Sequence, residues 1–583
     1  MPGDDPKNFK SFKDLLRAKG GEPEPTPEPE TEDKGWTLEG IADDVPDLFD
    51  DLPDASRDRI RSRPAAFGAM DHGPPMYADV ESEEMELLQS FRIRTVFPDD
   101  VSTELAALPD DPTEADFEGR TDLRGRRIFT IDGEDAKDFD DAISIRRLPD
   151  GLLEVGVHIA DVGHYVRPET ALDAEALTRG TSVYLADQVV PMLPETLSNG
   201  LCSLVPNRPR LAYSVWMHFD DEGKRHAARV EKSVIESVRR NTYAEVQALL
   251  DGEGDPELAF LEEDLRLFER WTKKQQELRD KRGSLRIQSK ETKFVFDEEH
   301  QVTGVVEDPR YFSNTLIEET ALAANQAVGD LFRQRGLPTI YRVHPEKDPE
   351  ELEAVAKMLE SYGIRVPKKD RLTGRDIGRM IRFARRKPNS EALIGRIMGL
   401  VERAVYEVKD HEDVATHWGL AREAYLHFTS PIRRYPDLIV HRWLWSIESG
   451  EEGAEDALRS DLLVQDLKDV AMHASLQSQV AEMTEQAVHD LKVCQYLHPH
   501  IGEKHTAKVL RVSRYGLEVL LTDFGVKGFL PAKKLGDRAK VDGATLTIQA
   551  GRRHLSFTEG HPVAVRVGDV DFIRLQVLLE LAS

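Results

Sequence analysis

Six carboxylates crowd into ten consecutive positions of the segment TIDGEDAKDFDDA: Asp132, Glu134, Asp135, Asp138, Asp140 and Asp141. A charge run is ordinarily a solvated loop. This one is flanked by strand-like apolar stretches at 128–131 and 142–145, so the acids are expected at a sheet edge, where they repel one another unless a cation neutralises them. Hard oxygen donors select magnesium, manganese or calcium over zinc, and the cluster contains no His or Cys. An EF-hand fails on spacing: counting from Asp132, Lys137 stands where the turn glycine belongs and Ile143 where the bidentate glutamate belongs. What remains is a compact Asp set suited to one or two magnesium ions with positions left for water and phosphate, the requirement of phosphodiester hydrolysis. A structural ion site or a plain acidic loop are the competing readings.

Strand patterns surround the cluster. RIFTI, AISIRRL and LLEVGVHIADV read as strands, with Pro149, Asp150 and Gly151 as the turn between the last two. Alternation in LEVGVHI predicts a half-buried strand. Upstream, EEMELLQSFRI and DDVSTELAAL read as short helices, the second capped by Asp100 or Ser102. Residues 230–285 and 315–500 are mostly helical in period. After Gly502 the short strands TAKVLRV, LEVLLTD, VKGFLPA, ATLTIQA, PVAVRVG and FIRLQVLLEL predict a small closed barrel. His158 and Asp161 in VHIADV invite a metal reading, but a strand histidine held by hydrogen bonds is the expectation.

Charge divides the chain unevenly. The net charge of -29 argues against nucleic-acid binding if taken whole. Residues 1–118, however, hold 31 acidic and 12 basic side chains, a net of -19, leaving -10 for 119–583. Residues 20–35, GGEPEPTPEPETEDKG, have no apolar face and are expected to be disordered or extended. Residues 36–80 read as a solvated tail, a short docking motif being the alternative. Two local regions are basic: 361–400, with 11 basic against 3 acidic residues, and 503–583, with 13 against 9. In the barrel, Tyr515, Phe524 and Phe529 among the basic residues would suit a stacking platform for single-stranded nucleic acid. Two cysteines, Cys202 and Cys494, in 583 residues favour a reducing compartment. The opening MPGDDPKNFK lacks the pattern of a signal peptide, and no uninterrupted apolar run of about 18 residues predicts a membrane span.

Four ordered motifs, TIDGEDAKDFDDA, VGVHIADVGHYV, YLADQVVPMLPETLSNGLCSL and EAYLHFTSPIRRYPDLIVHR, resemble the catalytic domain of the ribonuclease II and ribonuclease R family over about Phe97 to Leu497. The final barrel is similar to an S1 RNA-binding domain. Together with the composition of the tail and the helical patterns after it, the resemblance gives an α+β chain: a mostly disordered acidic tail at 1–80, linker helices at 81–126, a mixed catalytic domain of RNB type at 127–500 and an OB-fold S1 barrel at 503–583. It also implies a cytoplasmic, monomeric hydrolytic exoribonuclease that digests single-stranded RNA from its 3′ end to nucleoside 5′-monophosphates. Magnesium would be the cofactor, with manganese as a substitute.

By the family's pattern Asp132 and Asp141 bind metal directly, while Asp138 and Asp140 complete the metal and water arrangement; Glu134 and Asp135 face solvent. Tyr184 matches the tyrosine that stacks on the terminal base. Tyr243 and Glu318 match positions associated with the ribose 2′-hydroxyl. Arg433 matches the arginine at the scissile phosphate, with Arg434 beside it. Glu485 matches a glutamate that holds the terminal nucleotide, although Gln486 stands where the family often has arginine.

Two departures stand out. Ile287 falls where some members place a second stacking aromatic, and the roughly 95 residues before Phe97 lack the strand period of two cold-shock barrels. RNA capture then rests on the barrel and on residues 361–400, and the acidic tail is free to repel RNA, block the channel or recruit a protein partner. The rival readings are a catalytically inactive RNA-binding scaffold of the same fold and a metal phosphoesterase acting on another nucleotide substrate.

Overall fold

The computed structural model describes residues 76–78, 82–285, 291–298, 300–368, 372–409 and 416–582. Nearly all of the acidic tail, and Ile287, lie outside these residues. Nine strands build the region around the acid cluster: β1 (Thr121–Asp122), β2 (Thr130–Asp132), β3 (Asp141–Arg147), β4 (Leu153–Ala160), β5 (Val183–Tyr184), β6 (Val189–Val190), β7 (Pro209–Phe219), β8 (Arg225–Glu236) and β9 (Arg240–Thr242). Five of them form one sheet in the order β1-β8-β7-β4-β3. β2 pairs with β9 in parallel, and β5 with β6 as a hairpin.

β4 departs from the half-buried strand that its alternation predicts, because every one of its residues is buried. Its polar positions find partners inside. Glu154 accepts from Arg146 at 2.7 Å, Arg126 at 3.2 Å and His218 at 3.3 Å. His158 lies between Ser214 at 2.7 Å and Ser144 at 3.0 Å, edge-on to Trp216. Asp161 accepts from Arg120 at 2.7 Å and Lys232 at 3.0 Å, which hold its pKa down at about 2 against the opposing effect of burial. Both side chains are thus taken up by protein partners, as the hydrogen-bonded reading of His158 expects. Gly156 is required where three side chains converge, since a Cβ there would lie 2.5 Å from Ser144 Oγ and 2.8 Å from the Trp216 ring.

The helical period expected from residue 230 begins later. Residues 225–236 are β8, paired along their length with β7, and helices occupy Tyr243–Asp251 and Glu262–Arg282. RHAARVEKSVIE suits either period, and the long partner β7 decides between them. Likewise, Thr339–Val343 and Val405–Lys409 pair as strands within the otherwise helical 315–500 region. The Asp99–Leu105 helix starts from Pro98 as its N-cap, two residues before Asp100 and four before Ser102. Among the described residues no helix is long and apolar enough to cross a membrane.

The C-terminal part is a closed five-stranded barrel, Lys504–Ser513, Gly516–Leu521, Val526–Pro531, Gln576–Leu581 and Pro562–Asp571 in order, consistent with an OB-fold. ATLTIQA is not a barrel stave: Thr545–Ala550 is the middle of a separate three-stranded sheet. Leu546 and Ile548 nevertheless enter the barrel's core, together with Val493, Cys494 and Leu497 from the Asp461–Leu497 helix. That helix, of 37 residues and so about 55 Å long, is continuous with both parts of the molecule. Phe524 packs edge-on to Tyr496 and His505 at the same junction, whereas Tyr515 is exposed with Arg514 over its ring.

A second junction joins the barrel to the helices Pro349–Ser361, Gly374–Ala384 and Ser390–Met398, which share a small core of their own. Glu559 is fully buried and accepts two hydrogen bonds from Arg396, at 2.6 and 3.0 Å. A buried ion pair is strongly destabilised by loss of one partner, because the other charge is left uncompensated.

Two tests follow from this packing. Glu559→Ala should destabilise the protein by about 3–5 kcal/mol in urea unfolding, and a change within error of zero would show that the junction is solvated. His158 is held neutral, burial pushing its pKa down to about 3, while the unfolded chain protonates near 6.5. The unfolded state therefore binds the extra proton between those values, and stability falls as pH drops through that window. His158→Gln should lose less stability than the wild type between neutral pH and about pH 5; equal losses would contradict a buried neutral imidazole.

Candidate active site

The acid loop is folded inward by its backbone partners. Parallel pairing of β2 with β9 sets Asp132 opposite Thr242, the N-cap of the Tyr243–Asp251 helix. Arg240 donates to the carbonyls of Gly133 at 2.5 Å and Glu134 at 2.6 Å. Ser203 Oγ accepts from Phe139 N at 3.0 Å and donates to the Lys137 carbonyl at 2.7 Å, and the Phe139 ring is buried. This leaves Glu134 and Asp135 exposed, Asp135 beside Lys293 at 2.5 Å, while Asp140 is buried and Asp132, Asp138 and Asp141 are half-buried.

Asp140 anchors the loop to a segment nearly three hundred residues away. Its carboxylate accepts from Ile432 N at 2.9 Å and from Arg433 Nε at 3.3 Å. Burial raises its pKa well above the usual carboxylate range, against the pull of Arg433 and the Ile432 N–H. Arg434 turns away from the acids to Asp437 at 2.8 Å, and Asp437 also accepts from Ser430 N at 2.8 Å. Arg433 is therefore the inward-facing member of the pair, and Arg434 fixes the loop that presents it.

Burial, reinforced by the charge of Asp141, lifts Asp132 to about 8. Asp141 is itself lifted to about 6 by burial, with Arg433 and Arg434 opposing. Asp132 Oδ2 is buried with no hydrogen-bond partner among the described residues. Two desolvated carboxylates with an orphaned oxygen are hard donors that fit a magnesium ion. Among the described residues, no three His, Cys, Asp or Glu side chains are gathered closely enough to hold an ion unaided. That is not the compact cage of four acids which the spacing suggests, but magnesium commonly binds through one or two carboxylates and completes its shell with water and substrate phosphate.

The other candidates divide into two groups. Tyr184, 40% exposed on β5, donates from its hydroxyl to Asp138 at 3.3 Å and from its backbone N–H to Glu485 at 2.8 Å. Burial raises the Glu485 pKa. Tyr243, at the start of its helix, has its hydroxyl pKa raised by burial and by Asp141 and Asp132. Glu318 stands apart, paired with Arg279 at 2.6 Å and Arg310 at 2.7 Å rather than with any of these groups. Gln486 bonds Asp490 along its own helix at 2.9 Å. Arg240, which shapes the acid loop, carries no signal in the sequence; Ser203, which also shapes it, and Ser430 and Asp437 lie inside the family-like motifs without being singled out by them.

A family model described as the RNB domain matches residues 120–450. Ribonuclease R of Thermotoga maritima is 37% identical over 493 residues, covering 82% of this chain and 68% of that one. Ribonuclease R of Escherichia coli is 31% identical over 502 residues, covering 84% of this chain and 60% of that one. Mycoplasma genitalium RNase R, solved in complex with ribose-methylated single-stranded RNA, superposes with a TM-score of 0.76 at 25% identity, over 86% of this chain and 77% of the other. Fold and sequence thus define an RNB-domain protein. Within that class, the chain belongs to the ribonuclease R family. Yeast Ssd1, a pseudonuclease, also shares the fold, with a TM-score of 0.57 at 18% identity over 80% of this chain.

Proposed function

We propose that the chain is a hydrolytic 3′-to-5′ exoribonuclease that shortens single-stranded RNA and releases nucleoside 5′-monophosphates with magnesium, or manganese in its place. The observation that carries the reading is the set of desolvated carboxylates at Asp132 and Asp141, with Asp132 Oδ2 lacking a hydrogen-bond partner among the described residues, beside the Asp140–Arg433 couple. Asp132 and Asp141, with Asp138 and Asp140 close by, would hold the metal, which would activate water and steady the leaving oxygen. Arg433, its side chain 41% exposed, is oriented by Asp140 and Ser430 and can hold two phosphate oxygens as negative charge develops. Tyr184 offers a ring face to the terminal base while its backbone is fixed by Glu485. Tyr243 lies near the acids and suits contact with the terminal ribose, and Glu318 would read a 2′-hydroxyl from its position between two arginines. The barrel, with Tyr515 exposed, is read as an S1-like RNA-binding domain.

The presence of all four aspartates and Arg433 supports an active enzyme over a scaffold. In the direct test, 5′-labelled RNA should shorten progressively to a few nucleotides in the presence of magnesium. Chelation of the ion should stop this, and Asp140→Asn should abolish digestion while RNA binding persists. RNA left intact with both magnesium and manganese would sink the reading and favour the scaffold. A second test compares RNA with DNA of the same sequence: the wild type should digest RNA in preference, and Glu318→Ala should narrow that preference. Equal rates on both polymers would instead favour a phosphoesterase without ribose recognition.

A further inference from the structure

The Gly374–Ala384 helix has two sharply different faces. Ile377, Met380, Ile381 and Ala384 are buried in the small helical core, while Arg375, Arg379 and Arg382 are exposed on one stripe. That stripe lines a cavity of about 300 Å³, whose other walls are Asp280, Gly283, Ser284, Gly374 and Gly378. Glycines form the floor for a steric reason. A Cβ on Gly374 would come within 2.7 Å of the Gly283 carbonyl and 2.8 Å of the Trp418 carbonyl, and Gly283 has φ +93° at the end of the Glu262–Arg282 helix.

Among the described residues the three guanidinium groups are not consumed by carboxylates. Arg375 Nη2 donates to the Lys281 carbonyl at 2.8 Å. Arg379 approaches Asp376 only to 3.9 Å, and Asp376 is already held by Thr373 at 2.7 Å. Arg382 has no ion-pair partner among the described residues. Cations spaced at i, i+4 and i+7 along one open wall suit a run of separate negative charges better than a single compact anion.

The cavity is also tied to the proposed active site. Ser284 accepts from Arg279 Nε at 2.9 Å, and the same Arg279 holds Glu318 at 2.6 Å. One arginine thus connects the cavity wall to the candidate ribose contact.

We propose that this cavity is a phosphodiester-binding subsite for the RNA backbone, distinct from the scissile phosphate at Arg433. It rests on the exoribonuclease reading and engages only strands long enough to reach it. The test measures binding of a graded series of oligoadenylates to metal-chelated full-length protein, comparing wild type with the triple variant Arg375→Gln, Arg379→Gln and Arg382→Gln. A control carries Arg386→Gln and Lys387→Gln, on the same segment but outside the cavity.

The triple variant should bind long strands about tenfold or more weakly, with a salt-dependence slope lower by about 2 for three lost phosphate contacts. It should bind the shortest strands as the wild type does, and the control should keep both properties. An unchanged slope, an equal loss for short strands, or an equal loss in the control would each overturn the subsite while leaving the exoribonuclease reading intact. Wild-type protein that binds no RNA would instead bring down that reading, and the subsite with it.

Discussion

The arrangement of the site depends on one interaction, the acceptance of Ile432 N–H and Arg433 Nε by the buried carboxylate of Asp140. An uncompensated charge at that depth costs several kcal/mol, so the acid loop and the Ser430–Arg434 turn are stable in this form only together. The backbone of Asp140 is committed as well, its carbonyl accepting from Ala160 N at 2.9 Å at the end of β4. The central sheet, the acid loop and the start of the Tyr435–Glu448 helix are thereby fixed to one residue. Asp437 and Arg434 complete the arrangement from the helix side. The position of Arg433 relative to the acids is a property of tertiary packing that no local segment could set alone.

This explains which parts of the molecule were legible in the sequence. The strands flanking the acids, the turn at Gly151, two short helices and most barrel staves were visible because period-two patterns and turn residues act locally. β8 was misread as helix because its residues suit both periods and β7, its partner, is supplied from outside the segment. β4 looked half-exposed because its apolar-polar alternation implies one solvated face, whereas Glu154 and His158 on that face are satisfied inside the fold. In the site, the acid positions and the RR pair were visible, and the family resemblance picked Arg433 over Arg434, but the physical reason for that orientation lies in where Asp140 and Asp437 are placed. Ser203 and Arg240 act through the backbone of a distant loop, and such contacts leave no local pattern. Phe524, read as a stacking ring, instead packs at the seam between barrel and helix.

Net charge proved a poor guide for the same reason: it sums groups that face different surroundings. Around Arg433 the two signs are sorted. On one side Asp132, Asp140 and Asp141 are desolvated and raised in pKa, with burial the largest cause at each. Among the cations, Arg342 Nη1, Arg422 Nε and Arg434 Nε are buried without hydrogen-bond partners among the described residues. Burial pushes Arg422 down to about 10 and His417 down to about 3. A buried guanidinium atom left unpaired is as costly as a buried carboxylate left unpaired. Under the proposed function, a phosphodiester arriving with a metal ion would relieve the cost on the acid side by bringing a counter-ion to the carboxylates. On that reading the desolvated acids make a site that is unfavourable by itself and would become favourable around a polyanion with its counter-ion.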